Sequence, residues 1–154
     1  MAEIYSLVYK PDAHDEADHY TRLPVERVHL IVGRGIEGDL KGAGNPERQL
    51  NVMSYETLID LSNEGFKARP GELGEQIIVR GLNINTLEKG ARVQLGDSAV
   101  IEVTVPRVGC DRFEAIQGHP RGDVAGRMGV MARVVTDGVV RIGDPVKVME
   151  TVRP

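Results

Sequence analysis

The sequence predicts a mainly β fold, a barrel or sandwich carrying helical additions. Three observations lead there. β-branched runs recur through the second half of the chain, separated by Gly-Asp or Asp-Gly pairs. One segment shows clear helical spacing. Glycine makes up 18 of 154 residues, well above the usual share of about 7%, and without collagen periodicity that excess points to many turns between short elements. A chain of 154 residues suits one domain of typical size, and no linker divides it, so residues 1–154 are read as a single domain.

Taken in order, residues 2–9 alternate weakly and suit an N-terminal strand, whereas residues 10–20 hold Pro11 and a run of Asp, His and Glu that reads as a polar loop. Residues 25–32 read as a strand with Val28, Leu30 and Val32 on one face by period-2 spacing. Residues 33–46 carry five glycines and one proline and are expected to be an irregular loop, after which 48–53 resume an extended pattern. Ser54 is a candidate helix N-cap, with Glu56 in the first turn and Tyr55, Leu58, Ile59 and Ser62 at helical spacing. Gly65 suits a left-handed helix end. Pro70-Gly71 marks a turn before a short buried strand at 76–80. Further strands are expected at 92–95, 99–105, 130–135, 139–142 and 146–149. Val93-Gln-Leu-Gly-Asp97 and Val140-Arg-Ile-Gly-Asp144 read as one strand–turn–strand device used twice, and Asp137-Gly138 as a hairpin turn.

Composition narrows the function. Hydrophobic residues are 41% and charged residues 27%, but aromatics only 4% with no Trp, so Val, Ile and Leu must fill the core. The net charge of −4 and the lack of a basic stripe argue against nucleic-acid binding driven by backbone charge. No apolar run approaches the roughly 18 residues of a membrane helix, and residues 1–10 lack the pattern of a secretory signal. The single cysteine, Cys110, excludes intrachain disulfides and Cys-based zinc clusters. With five Met and one free thiol, the expected location is the cytoplasm.

Several motifs compete for the site. Gly33-Arg-Gly35-Ile-Glu-Gly38 fits a dinucleotide fingerprint, but the glycines and proline that follow leave no room for the helix such a motif must open. His14-Asp-Glu-Ala-Asp-His19 is rich in metal-binding groups, yet its histidines are five apart, not three or four, and a solvated acidic loop explains it better. Arg121-Gly122-Asp123 is an adhesion tripeptide by chance. Cys110 carries more weight. It lies beyond the strand 99–105, after Pro106 and Gly109, flanked by Arg107 and Arg112 and opposed by Asp111. Neighbouring cations and a helix N-terminus favour the thiolate, the form that attacks electrophiles, carries sulfur or ligates a soft metal. The glycine-rich turns Gly38-Asp39-Leu-Lys41-Gly42 and Gly71-Glu-Leu-Gly74-Glu75, with Arg48-Gln49, could join Arg107 and Arg112 in a basic pocket for a phosphate.

The ordered set Gly35-Ile-Glu-Gly38-Asp39, Arg48-Gln49, Pro70-Gly-Glu-Leu-Gly74-Glu75, Gly81-Leu-Asn, Leu87-Glu-Lys-Gly90-Ala-Arg92, Leu95-Gly96 and Glu102-Val-Thr-Val-Pro106-Arg107 ending at Cys110 resembles the MOSC domain, over about residues 28–148. The resemblance implies a β-barrel of the pyruvate kinase barrel-like type and binding of molybdenum cofactor. It makes Cys110 the catalytic residue and metal ligand or a persulfide carrier. Lys41, Arg48, Arg107 and Arg112 would contact the pterin phosphate, and Gly74 and Glu75 would shape the pocket. Two activities follow from it: reduction of N-oxygenated compounds with a separate reductase, or sulfur carriage from a pyridoxal-phosphate-dependent cysteine desulfurase; a rival reading from another class is a non-catalytic module that binds an anionic small molecule. Electrons or sulfur would come from other proteins.

Overall fold

The computed structural model describes residues 2–10, 23–39, 45–107, 114 and 117–149. Short β-branched segments build two sheets among them. The larger contains β1 (Glu3–Tyr9), β2 (Leu23–Val25), β5 (Leu50–Ser54), β6 (Ile77–Arg80), β7 (Arg92–Leu95), β8 (Ala99–Pro106), β9 (Val130–Thr136) and β11 (Val146–Val148), in the order β11-β7-β8-β9-β5-β6-β1-β2. The smaller holds β10 (Gly138–Arg141), β3 (Arg27–Ile31) and β4 (Gly35–Ile36) in that order. One α-helix, α1 (Tyr55–Asn63), occurs among the described residues. It forms the crossover between β5 and β6, which pair in parallel, as parallel neighbours require.

The expected strand 25–32 divides at Glu26, where the chain leaves the large sheet and enters the small one. Val28 and Leu30 are buried as expected, but Val32 lies past the strand end and is exposed. The expected loop 33–46 contains β4, whose Ile36 pairs with Leu30 and is buried.

Asp137-Gly138 does not close a hairpin between β9 and β10. β10 pairs with β3, so this dipeptide carries the chain from one sheet to the other. Asp137 Oδ1 accepts the Val32 amide at 2.7 Å. A Cβ on Gly138 would lie 2.6 Å from the Ala99 nitrogen, so glycine is needed here for close approach. The repeated Gly-Asp segments are likewise not one device. The first closes the paired hairpin β7–β8, whereas the second leads from β10 to β11 in the other sheet. The two turns instead meet, with the Gly96 amide donating to the Pro145 carbonyl at 2.9 Å.

The fold is mainly β, but the large sheet is not closed into a barrel. The segment leading into β11 approaches β1 through three backbone bonds: Val146 N to Ala2 O, Ile4 N to Asp144 O and Gly143 N to Ile4 O. Strand pairing across this seam is a single bridge, Glu3 to Pro145. Proline has no amide hydrogen to extend a ladder, and by Leu7 β1 has taken β2 as its partner.

Two apolar clusters fill the molecule. Ile4, Leu7, Leu30, Ile36, Leu50, Val52, Ile77, Val79, Ile101 and Val140 belong to the first, between the sheets. Met53, Leu58, Leu61, Phe66, Leu73, Ile78, Val124 and Met128 form the second, under α1. Successive strand residues point to opposite faces, so Val52 and Met53, or Ile77 and Ile78, serve different clusters. That is why all of β5 is buried.

A candidate functional site at the end of β8

β8 ends at Pro106, and the Arg107 amide makes a last sheet-like bond to the Gly129 carbonyl at 3.1 Å. The β8–β9 register shifts between Val103 and Val105, a bulge of the kind that redirects a side chain. The Thr104 hydroxyl donates to the Glu47 carbonyl, pinning the segment before β5 against the end of β8. Arg48 follows directly and is exposed. Gln49 is buried, and its Oε1 accepts the Val134 amide at 2.9 Å.

A polar network runs beneath this end of the sheet. Arg107 Nη1 donates to Asn51 Oδ1 at 2.7 Å. The Asn51 amide donates to Gln76 Oε1 at 2.7 Å, and Gln76 Nε2 donates to Asp39 Oδ2 at 3.2 Å. Asp39 Oδ1 accepts the Lys10 amide at 2.9 Å. Asn51, Gln76 and Asp39 are all buried, and buried polar groups are tolerated only when bonded in this way. A chain of hydrogen bonds therefore runs from Asp39 through Gln76 and Asn51 to Arg107.

The glycine-rich loop before β6 is closed upon itself. Glu75, fully buried, accepts the amides of Gly71 and Leu73. Glu72 N donates to Arg69 O, and Gly74 N to Gly71 O. These amides are committed within the loop and are not free to cradle an anion. Burial pushes the Glu75 carboxyl above the usual carboxylate range, against the loop amides and the nearby Arg107 charge.

Of the residues singled out in the sequence, Arg48, Gly74, Glu75 and Arg107 are placed by the structure, whereas Cys110, Lys41 and Arg112 lie outside the described residues, as do His14 and His19. Beyond 108–113, the Gln117 side chain clasps Lys67, accepting its amide at 2.6 Å and donating to its carbonyl at 2.7 Å. Phe66 and His119 stack with ring centres 4.3 Å apart. No cluster of three metal-ligating side chains occurs among the described residues. Gly33–Gly38 contains β4 where a dinucleotide motif would open a helix, so the motif lacks its context. A groove of about 490 Å³ lies elsewhere, beside α1, with Leu58, Phe66 and Ile78 in its lining and the Tyr5 and Tyr55 rings 4.3 Å apart.

Reading residues one by one missed Asn51, Thr104, Gly129 and Gln117. Asn51 left a signal, a lone amide inside the apolar run Leu50-Asn51-Val52-Met53. Gly129 left none. A Cβ there would sit 2.0 Å from the Val52 carbonyl oxygen, a clash created by the β5–β9 packing alone.

The fold and site define a two-sheet β scaffold whose buried polar network ends at an arginine three residues before the lone cysteine in sequence. A family model for the MOSC domain matches residues 39–147, and the chain belongs to that family. Among solved structures it is similar to the YuaD protein from Bacillus subtilis (TM-score 0.76, 20% identity, covering 96% of each chain). It also resembles YiiM from Geobacillus stearothermophilus (TM-score 0.75, 19% identity, covering 97% of this chain and 76% of that one). YiiM from Escherichia coli gives a TM-score of 0.68 at 20% identity, over 99% of this chain and 72% of that one. At these identities the likeness shows the fold alone. No curated protein matches. Among the described residues no helix is long and apolar enough to cross a membrane.

Proposed function

We propose that this chain binds molybdenum cofactor at the end of β8 and, with a separate reductase, reduces N-oxygenated compounds. The observation that carries the reading is the buried hydrogen-bond chain that runs from Asp39 through Gln76 and Asn51 to Arg107, three residues before Cys110. The donor set suits the group. A guanidinium held in place recognises a phosphate better than a mobile one, and its fork offers paired donors. A thiolate suits a soft metal. In this reading Arg107 would bind the pterin phosphate, exposed Arg48 would add positive charge, and Lys41 and Arg112 would supply further cations. The loop containing Gly74 and Glu75 would wall the pocket, and Cys110 would hold the metal as its thiolate. The bound group would supply the redox centre for two-electron reduction.

The test is the molybdenum and pterin content of protein made in cells that synthesise the cofactor. Wild type is expected to carry both near stoichiometrically. Cys110→Ala should lose the metal, and Arg107→Ala both metal and pterin. Wild-type protein empty of both overturns the proposal.

A further inference from the structure

Arg107 is held at both ends by one three-residue stretch. Its amide donates to the Gly129 carbonyl at 3.1 Å. Its guanidinium bonds Asn51 Oδ1, and Asn51 Nδ2 in turn reaches the carbonyls of Met128 at 3.3 Å and Val130 at 3.2 Å. The carbonyls of residues 128, 129 and 130 thus set the arginine's backbone directly and its head group through one side chain. An amide side chain has two donor hydrogens, and these two carbonyls take both. The oxygen is then forced toward Arg107. Asn51 is 2% exposed, and its own amide is held by Gln76 Oε1, so its backbone amide and every polar atom of its side chain are bonded in this arrangement.

We infer that Asn51 is a positioning residue for Arg107, a neutral acceptor that orients the guanidinium without itself adding negative charge beside it. The inference rests on the reading that Arg107 receives an anion. An isosteric aspartate would reverse both properties, since it has no donors for the two carbonyls and brings a charge that competes with the anion. Serine would be neutral but too short to span the gap. Glu75 also faces Arg107 electrostatically, and its influence is common to all variants at position 51.

Sulfate serves as the probe, titrated at neutral pH into wild type, Asn51→Asp, Asn51→Ser and Arg107→Ala, with backbone amide shifts reporting affinity and fold. The Arg107 Nη hydrogens report positioning. Resolved, slowly averaging Nη signals are expected in wild type and collapsed ones in Asn51→Ser. Sulfate affinity should fall at least about tenfold in both Asn51→Asp and Arg107→Ala, the scale of one charge-assisted hydrogen bond. Equal sulfate affinity in wild type and Arg107→Ala sinks the anion reading itself. A loss in Arg107→Ala with wild-type affinity and Nη signals in both Asn51 variants overturns the positioning role alone. Fast-averaging Nη signals in wild type overturn it even where the variants fail to fold.

Discussion

Glu75 is a carboxyl in a place that resists its charge. Burial raises its proton affinity, and the amides of Gly71 and Leu73 offset this only in part. A raised acid binds its proton more tightly in the folded state than in the unfolded one. Its contribution to stability is therefore fully present below the unfolded value of 4.5 and is lost as pH rises through the folded value. Glu75→Gln removes that dependence. The stability of wild type relative to Glu75→Gln is expected to decline as pH is raised above about 4.5, measured by urea denaturation across the range; a difference independent of pH would contradict the buried-acid account. Gly129 makes a second residue-scale case. Its φ of +75° and the 2.0 Å approach to the Val52 carbonyl oxygen leave no space for a methyl group. Gly129→Ala should cost more than about 4 kcal/mol or prevent folding. Gly143→Ala, with a similar φ but open surroundings, should cost only about 1 kcal/mol. Paired melting curves would check the contrast.

At the scale of elements, α1 separates two roles that a sequence pattern merges. Ser54 stands at the N-cap position, yet its side chain makes no capping bond. The hydroxyl donates to the Leu82 carbonyl and accepts the Ile84 amide, both at 2.7 Å, so it ties the end of β5 to the segment after β6. Ser54→Ala is expected to cost about 1–3 kcal/mol, the penalty for leaving buried groups unpaired. Ser54→Asp, an excellent cap in isolation, should not restore the loss; denaturation of both variants decides, and full recovery with Asp would return Ser54 to a capping role. The buried stripe of α1 is Leu58 and Leu61, whereas Ile59 is 43% exposed. Leu61→Ala should therefore cost about 2–5 kcal/mol and Ile59→Ala under about 1 kcal/mol.

For the whole molecule, stability should follow burial across the sheet. β5 is buried throughout and lies between β9 and β6, while β2 is an edge strand, largely exposed, holding Pro24. Hydrogen exchange is expected to release the paired β5 and β9 amides only on global unfolding and the β2 amides by local opening. Exchange as slow in β2 as in β5 would show that the curled sheet behaves as one closed unit despite its single-bridge seam.

The sequence by itself determined what depends on near neighbours. Period-2 runs located most strands, with 92–95 matching β7 end to end; helical spacing found α1, and Gly65 does adopt a positive φ of 95°. The ordered motifs, each a local pattern, led to the MOSC family, confirmed over residues 39–147. Tertiary structure alone decided which strand pairs with which. A Gly-Asp turn looks the same whether the next strand folds back, as after β7, or crosses to the other sheet, as after β10. The same holds for the site. Arg107 was singled out as a candidate from its place near Cys110 in sequence, but Asn51 became its partner only when β5, β9 and the end of β8 were brought together. Local preference acts over a few residues, whereas sheet pairing and a buried hydrogen-bond network are chosen by satisfying every buried group in the molecule at once.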